Sequence, residues 1–398
     1  MQPPTVAANR AAHAAIYVTA ADNASAFSST PFYFAKALQR ALPAALHVVP
    51  LPMRRTRELA LPALAWGARR RVDPRPYFFL SRRYQDSNLS SSGVRIGDGD
   101  TLIAFSQILP ARGANLSPSA LVLSYIDLTL SQYFQYQQFN GMPARIKADL
   151  MQEERRSYAE ADYLFVFSES VAHELRSGYG VADARIEVIG RGTNLPLQLP
   201  PSGATARQSA QRTFTIGFIG LDFARKGLPD LLAALDGLEL DRRCRVKVRV
   251  IGPDPRTLPS SDLLEPVGYI DKTRDLEAFC AAVADCDLGC LYSKAEGIPG
   301  SCLEFLALGV PCLISDAEGL RTLMHLPGIV AVPLAGGVPA LRAALAGLID
   351  EPQQLSDLRG GLGQTAISGW EGPARRVAQR ILAERASARL TPPVEKRH

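Results

Sequence analysis

The stretch TFTIGFIGLDFARKG, residues 213–227, reads as a buried strand, a short basic turn and the glycine that opens a helix. The pattern recurs downstream. RVKVRVIG (245–252), DLGCLYS (287–293), CLIS (312–315) and IVAV (329–332) are strand-length apolar runs, alternating with helical patterns from about 227, over 273–284, from Ser301 and over 337–349. Such alternation is the mark of parallel βαβ units. Upstream it holds as well. AAIYVTA (14–20), LHVVPL (46–51), TLIAFS (101–106), ALVLSY (120–125), YLFVFS (163–168) and IEVIG (186–190) read as strands, with helices at 31–42, near 143–158 and over 169–178. Between the halves, NLPLQLPPSGATARQSAQR (194–212) is rich in Pro, Ser, Gly and Ala and lacks periodicity, as a linker does. The expected fold class is α/β, with two tandem Rossmann-like doubly wound domains. The expected boundaries are 1–198 for the first domain, 199–212 for the linker, 213–368 for the second domain, and 369–398 for a final amphipathic helix and tail.

Length and composition agree. At 398 residues, with 47% hydrophobic and 21% charged residues, the chain suits two or three domains and excludes wholesale disorder. Charges interrupt every apolar stretch before about 18 residues, which argues against a membrane-spanning helix. The opening MQPPTVAANRAAHAA lacks a secretory pattern, so the expected location is cytoplasmic. All six cysteines lie in the second half, none in a CxxC pair, and most within apolar runs, as reduced buried thiols do. The five histidines are scattered, so no metal site is expected. The net charge is +5, but residues 54–83 alone carry nine arginines against Glu58 and Asp73. Interleaved with Leu59, Trp66 and Phe78, this segment could lie on an anionic membrane or form an ordinary domain face. No recognised nucleic-acid-binding module accompanies the charge, and nucleic acid is not an expected partner.

The chemistry concentrates in SKAEGIPGSCLEFLALGVPC (293–312). Glu296 lies on the turn, Glu304 follows on the helix with seven residues between, and the N–H groups of Gly300, Ser301 and Cys302 stand at the helix start. A helix N-terminus binds phosphate through its unpaired donors and positive dipole end. Flanking carboxylates accept hydrogen bonds from hydroxyls, so the arrangement suits a nucleotide sugar. The plainer reading is that a carboxylate there only complements the helix dipole. Arg225 and Lys226, at the end of the 213–220 strand, form either a second anion-favouring loop of the same sheet or a solvated basic turn.

These residues resemble the donor-binding domain of the retaining glycosyltransferases of family four (group 1), which have the GT-B fold. The resemblance rests on the RKG turn, VIGPDP (250–255), the run VGYIDKTRDLEAFCAAVADCDLGCLYS (267–293) and the two spaced glutamates running into EFLALGVPC. It extends more loosely over SSTPFYFAKAL (28–38), SYIDLTL (124–130), the segment 159–194 and SGWEGPARRVAQRIL (368–382), similar to a final helix that crosses back to the first domain. The resemblance implies two domains facing across a cleft, a nucleoside diphosphate sugar as co-substrate, no metal and no other cofactor. Glu296 would hold donor sugar hydroxyls and Glu304 the ribose hydroxyls. Lys226, helped by Arg225, would neutralise the diphosphate, which the amides of Gly300, Ser301 and Cys302 would also bind. The base would lie near Tyr269 and Ile270, and Ser28, Ser29 and Thr30 would close on the phosphates from the first domain. Family members acting on lipid-linked acceptors dock on membranes through that domain, which would place 54–83 on the inner face.

Three positions depart from the family pattern. Leu221 stands where an arginine is usual, Pro299 where a second glycine is usual, and Ile126 with Asp127 where a histidine often lies. Asp127 would orient the acceptor or the transferred sugar, or only cap the strand end. The implied function is retaining transfer of a hexosyl group to a glycan or lipid-linked hydroxyl, in cell-surface polysaccharide or glycolipid assembly. The alternatives are a degenerate nucleotide-sugar or glycan-binding subunit, and a phosphorylase or epimerase on the same architecture.

Overall fold

The computed structural model describes residues 14–22, 29–42, 46–50, 80–136, 141–195, 212–238, 244–362 and 367–390. The described chain divides into two compact units. One runs up to Gly192 and resumes at Trp370; the other is Thr193–Gly369. Most of the basic 54–83 segment, the expected linker 199–212 apart from Arg212, and Ser28 lie outside the described residues.

The first unit holds β1 (Ile16–Thr19), α1 (Thr30–Ala41), β2 (Leu46–Val49), α2 (Arg82–Ser91), β3 (Thr101–Ala104), β4 (Leu121–Ile126), α3 (Leu130–Tyr133), α4 (Ala144–Glu160), β5 (Tyr163–Val166), α5 (Glu169–Ser177) and β6 (Ile186–Val188). Its six strands pair in parallel in the order β2-β1-β3-β4-β5-β6. The central strands are apolar on both faces because helices cover both, as a parallel sheet requires.

The second unit holds β7 (Arg212–Ile219), α6 (Leu228–Asp236), β8 (Cys244–Ile251), β9 (Leu264–Gly268), α7 (Leu276–Ala284), β10 (Leu288–Leu291), α8 (Gly300–Ala307), β11 (Cys312–Ser315), α9 (Glu318–Arg321), β12 (Ile329–Val332), α10 (Gly337–Asp350) and α11 (Pro352–Leu362). The strand order is β12-β11-β10-β7-β8-β9, again all parallel. All carboxyl ends therefore lie along one edge, and the loops after β7, β9 and β10 share it. One core of Phe214, Ile216, Val248, Leu288, Leu313, Leu341 and Leu345 fills the space between this sheet and its helices.

The last helix, α12 (Glu371–Leu390), packs in the first unit against α1. Trp370, just ahead of it, is buried with its ring centroid 6.2 Å from that of Phe34 and 6.4 Å from that of Tyr125. Arg376 Nη1 donates to the Val188 carbonyl at 2.7 Å, and the Tyr163 hydroxyl donates to Glu384 at 2.6 Å.

The doubly wound α/β reading of both halves holds. Strand β9 and helices α2 and α11 were not foreseen. LEPVG contains a proline and no apolar run, and β9 lies at the sheet edge, where proline is tolerated.

Candidate functional site

Two close approaches shape the basic turn after β7. Gly227 has φ +86°, and a Cβ there would stand 2.1 Å from the Tyr292 carbonyl oxygen, so only glycine fits. A Cβ at Gly220 would lie 2.1 Å from Lys226 Cδ, so the missing side chain opens the channel along which Lys226 runs. The turn is tied to the β10 loop, because the Lys294 amide donates to the Arg225 carbonyl at 3.0 Å.

This brings Arg225, Lys226 and Glu296 together. Glu296 is 9% exposed. Its Oε1 accepts from Ser293 Oγ at 3.1 Å and pairs with Arg225 Nη1 at 2.9 Å and Lys226 Nζ at 3.1 Å. Burial alone pushes this carboxyl up. The charges of Lys226 and Arg225, with their hydrogen bonds, outweigh that and hold it below its ordinary range. All three contacts fall on Oε1. Arg225 is also held by Asp222 at 2.9 Å. The expectation that Lys226 and Arg225 meet a diphosphate gains a detail: both already neutralise Glu296.

Helix α8 starts at Gly300 with Pro299 at its N-cap, and no side chain caps its first amides. Ser301 Oγ, in a residue only 8% exposed, has no hydrogen-bond partner among the described residues. A buried hydroxyl without a partner among the described residues, beside uncapped amides, leaves donors available to an acceptor group. The depth of α8 is set by Phe305, fully buried against two glycines. A Cβ at Gly217 on β7 or Gly289 on β10 would come within 2.6 Å of that ring. The Cys302 side chain is buried.

Glu304, one turn along α8, is 2% exposed, and Lys272 Nζ bonds its Oε1. Lys272 also lies 4.8 Å from the Phe279 ring centroid. Sequence reasoning missed Lys272. Its only signal was its place in GYIDK, and the pairing becomes visible only once β9 is known to lie in the same sheet. The salt bridge brings the segment bearing Tyr269 and Ile270 beside Glu304. Tyr269 is 60% exposed, open to stack on a planar ring, and Ile270 is half-buried. Leu221 is 68% exposed at the end of β7, so the position of the usual arginine offers no charge.

Ser29, Thr30 and Asp127 belong to the first unit. Ser29 is the N-cap of α1 in left-handed backbone, φ 63°, and Thr30 is buried. Asp127 is exposed immediately after β4. Among the described residues, no group of three or more His, Cys, Asp or Glu is placed to hold a metal ion, and no helix is long and apolar enough to cross a membrane. The thiols of Cys280, Cys286, Cys290, Cys302 and Cys312 are free, and burial pushes those of Cys286 and Cys290 up to about 12, as in inert structural cysteines.

Comparison with known proteins bears on the family and the fold. Residues 213–351 match the family model described as Glycosyl transferases group 1. A D-inositol 3-phosphate glycosyltransferase of Kribbella flavida is 27% identical over 234 residues, covering 53% of this chain and 54% of that protein. The chain thus spans about half the length of the curated relatives it matches. Among solved structures, a sucrose-phosphate synthase of Thermosynechococcus elongatus aligns with TM-score 0.66 at 17% identity, covering 94% of this chain and 100% of that one. HepE of Anabaena, solved in complex with UDP and glucose, aligns with TM-score 0.54 at 14% identity, covering 95% and 99%. The second unit therefore carries a group 1 glycosyltransferase domain, and the chain has the GT-B fold.

Proposed function

We propose that this chain is a retaining, metal-independent glycosyltransferase that moves a hexosyl group from a nucleoside diphosphate sugar to a hydroxyl of a glycan or lipid-linked acceptor. The observation that carries this reading is the orphaned Ser301 hydroxyl beside the uncapped start of α8, in the same loop system as Glu296 with its two cations. The diphosphate would take the Ser301 hydroxyl and the amides of Gly300, Ser301 and Cys302, and would share Lys226 with Glu296. Fixed cations and amide dipoles then meet the charge that develops on the leaving group. One such donor typically supplies about 2.7–4 kcal/mol of barrier lowering. Glu296 Oε2 would accept from donor sugar hydroxyls. Glu304, steadied through Oε1 by Lys272, would accept from the ribose. The acceptor oxygen would bond the anomeric carbon on the face from which the phosphate oxygen leaves, and its proton would pass to that departing oxygen. Attack from the departing face retains configuration.

The relatives support the donor class: glycosyltransferases by sequence, and HepE, solved with UDP and glucose, by fold. The work of the enzyme would be cell-surface polysaccharide or glycolipid assembly at the cytoplasmic side, with 54–83 reaching an anionic membrane surface. A nucleotide-sugar-binding subunit without turnover is the second reading, favoured by the uncharged, exposed Leu221. Thermal shifts against UDP, GDP and ADP sugars, followed by assay of released nucleotide with hydroxyl acceptors, separate the two. A donor at 100 times its Kd stabilises by about 2.7 kcal/mol. A shift with no release above water hydrolysis rejects transfer; no shift with any donor rejects both.

A further inference from the structure

The segment Asp127–Tyr133, which follows β4 and forms α3, is held from below by a buried carboxylate that the transfer chemistry does not use. Glu154 on α4 has no exposed surface. Its Oε1 accepts from the Leu130 amide at 2.7 Å and from the Tyr158 hydroxyl at 2.6 Å, and its Oε2 accepts from the Tyr179 hydroxyl. Tyr179 in turn accepts from the Ser131 amide at 3.4 Å. Around this centre, Thr129 and Gln132 form a reciprocal capping box, Gln132 Nε2 donates to Ser170 Oγ at 3.1 Å, and Gln107 Nε2 donates to the Leu128 carbonyl at 2.9 Å. Helix α4, helix α5 with the segment after it, and the segment after β3 thus each point a polar group at the loop. The centre of the arrangement is one carboxylate.

We propose that Glu154 is a positioning residue, whose buried carboxylate locks the Asp127–Tyr133 segment in the place from which Asp127 serves the acceptor. The catalytic part of this inference rests on the transferase reading; the locking part does not. Three donors converge on two oxygens, and an ionised carboxylate satisfies all three. A protonated one carries its own hydrogen on one oxygen, so the hydroxyl bonded there must turn its hydrogen away, and the charge that strengthens all three bonds is lost. The charged and titratable groups that face the site are Tyr158 on the same helix, Glu174 on α5, Tyr179 after α5 with the Arg155 guanidinium 5.2 Å from its ring centroid, and Asp127 after β4. Burial pushes the Glu154 carboxyl up to about 7, against the hydrogen bonds of Tyr158, Tyr179 and Leu130, and the Glu174 charge adds to the rise. The lock is therefore engaged above neutral pH and slackens below it.

The test is amide hydrogen exchange over residues 127–133 in the full chain, corrected for intrinsic chemistry, between about pH 6 and about pH 8. In the natural sequence, protection at Leu130 and Ser131 should rise roughly 10-fold or more across that range. Glu154→Gln should remove the rise, and Tyr179→Phe, which deletes one donor to the charged form, should move its midpoint to higher pH. Transfer assays should show the acceptor kcat/KM following the same pH course, reduced roughly 10-fold in Glu154→Gln, while hydrolysis of the donor by water stays unchanged. Wild-type protection and pH course in Glu154→Gln, or an unmoved midpoint in Tyr179→Phe, overturns the lock. A normal exchange result with no transfer by the unmutated chain rejects only the transferase reading.

Discussion

Glu296→Ala separates what the site binds from what it does. In the proposed reaction the carboxylate meets the donor sugar through Oε2, whose two lone pairs accept up to two hydrogen bonds. Each, as a bond to a charged group, is worth about 1.5–3 kcal/mol. Transfer should therefore fall by roughly 100-fold to 10,000-fold. Nucleotide affinity should move the other way or hold, because the change removes the anion that competes with a diphosphate for Lys226 and Arg225. Stability should drop. Breaking a buried ion pair costs about 3–5 kcal/mol, and the lower part of that range applies because Arg225 keeps Asp222 and both cations retain some solvent contact. With about 2–4 °C per kcal/mol for a unit of this size, Tm should fall by about 6–12 °C. Calorimetric nucleotide titration, a nucleotide-release assay and a thermal melt on one preparation read all three. A variant that transfers at the unmutated rate, or loses nucleotide binding in step with rate, refutes the reasoning.

Other perturbations probe the frame. The depressed carboxyl of Glu296 contributes stability above its ordinary 4.5, lost as pH falls through the lower native value. Acid melts of Glu296→Gln should therefore lack that loss, and a parallel acid limb in both chains contradicts the pairing. Gly227→Ala places a Cβ 2.1 Å from the Tyr292 carbonyl at positive φ and should cost about 2–4 kcal/mol by denaturant titration. Phe305→Ala empties the seat over Gly217 and Gly289 and should cost about 3–5 kcal/mol in the same measurement. Leu221→Arg restores a charge at an exposed position and should tighten nucleotide binding roughly 5- to 20-fold at low salt, an effect that fades as salt rises.

The strands of both sheets other than β9 were legible because buried parallel strands are written as nearly unbroken apolar runs, as in TFTIGFIG and ALVLSY. Glu296 and the RKG turn were legible because loops at the carboxyl ends of such strands carry polar residues, and Glu304 because a charged residue stands out in the apolar helix run that follows. The clasp of Lys272 on Glu304 was not, since 32 residues separate the pair and their meeting depends on the edge position of β9. Glu154 was equally hidden. In QEERRSYAE it is one acid among several, and only burial distinguishes it from Glu153.

The course of the chain bears on how the protein is made. Residues 193–369 interrupt the first unit in sequence, and that unit is completed only by α12. A ribosome working from the amino terminus releases the whole second unit before Trp370 can reach Phe34 and Tyr125. The half begun first is therefore finished last, and until then its aromatic seat lacks the Trp370 ring.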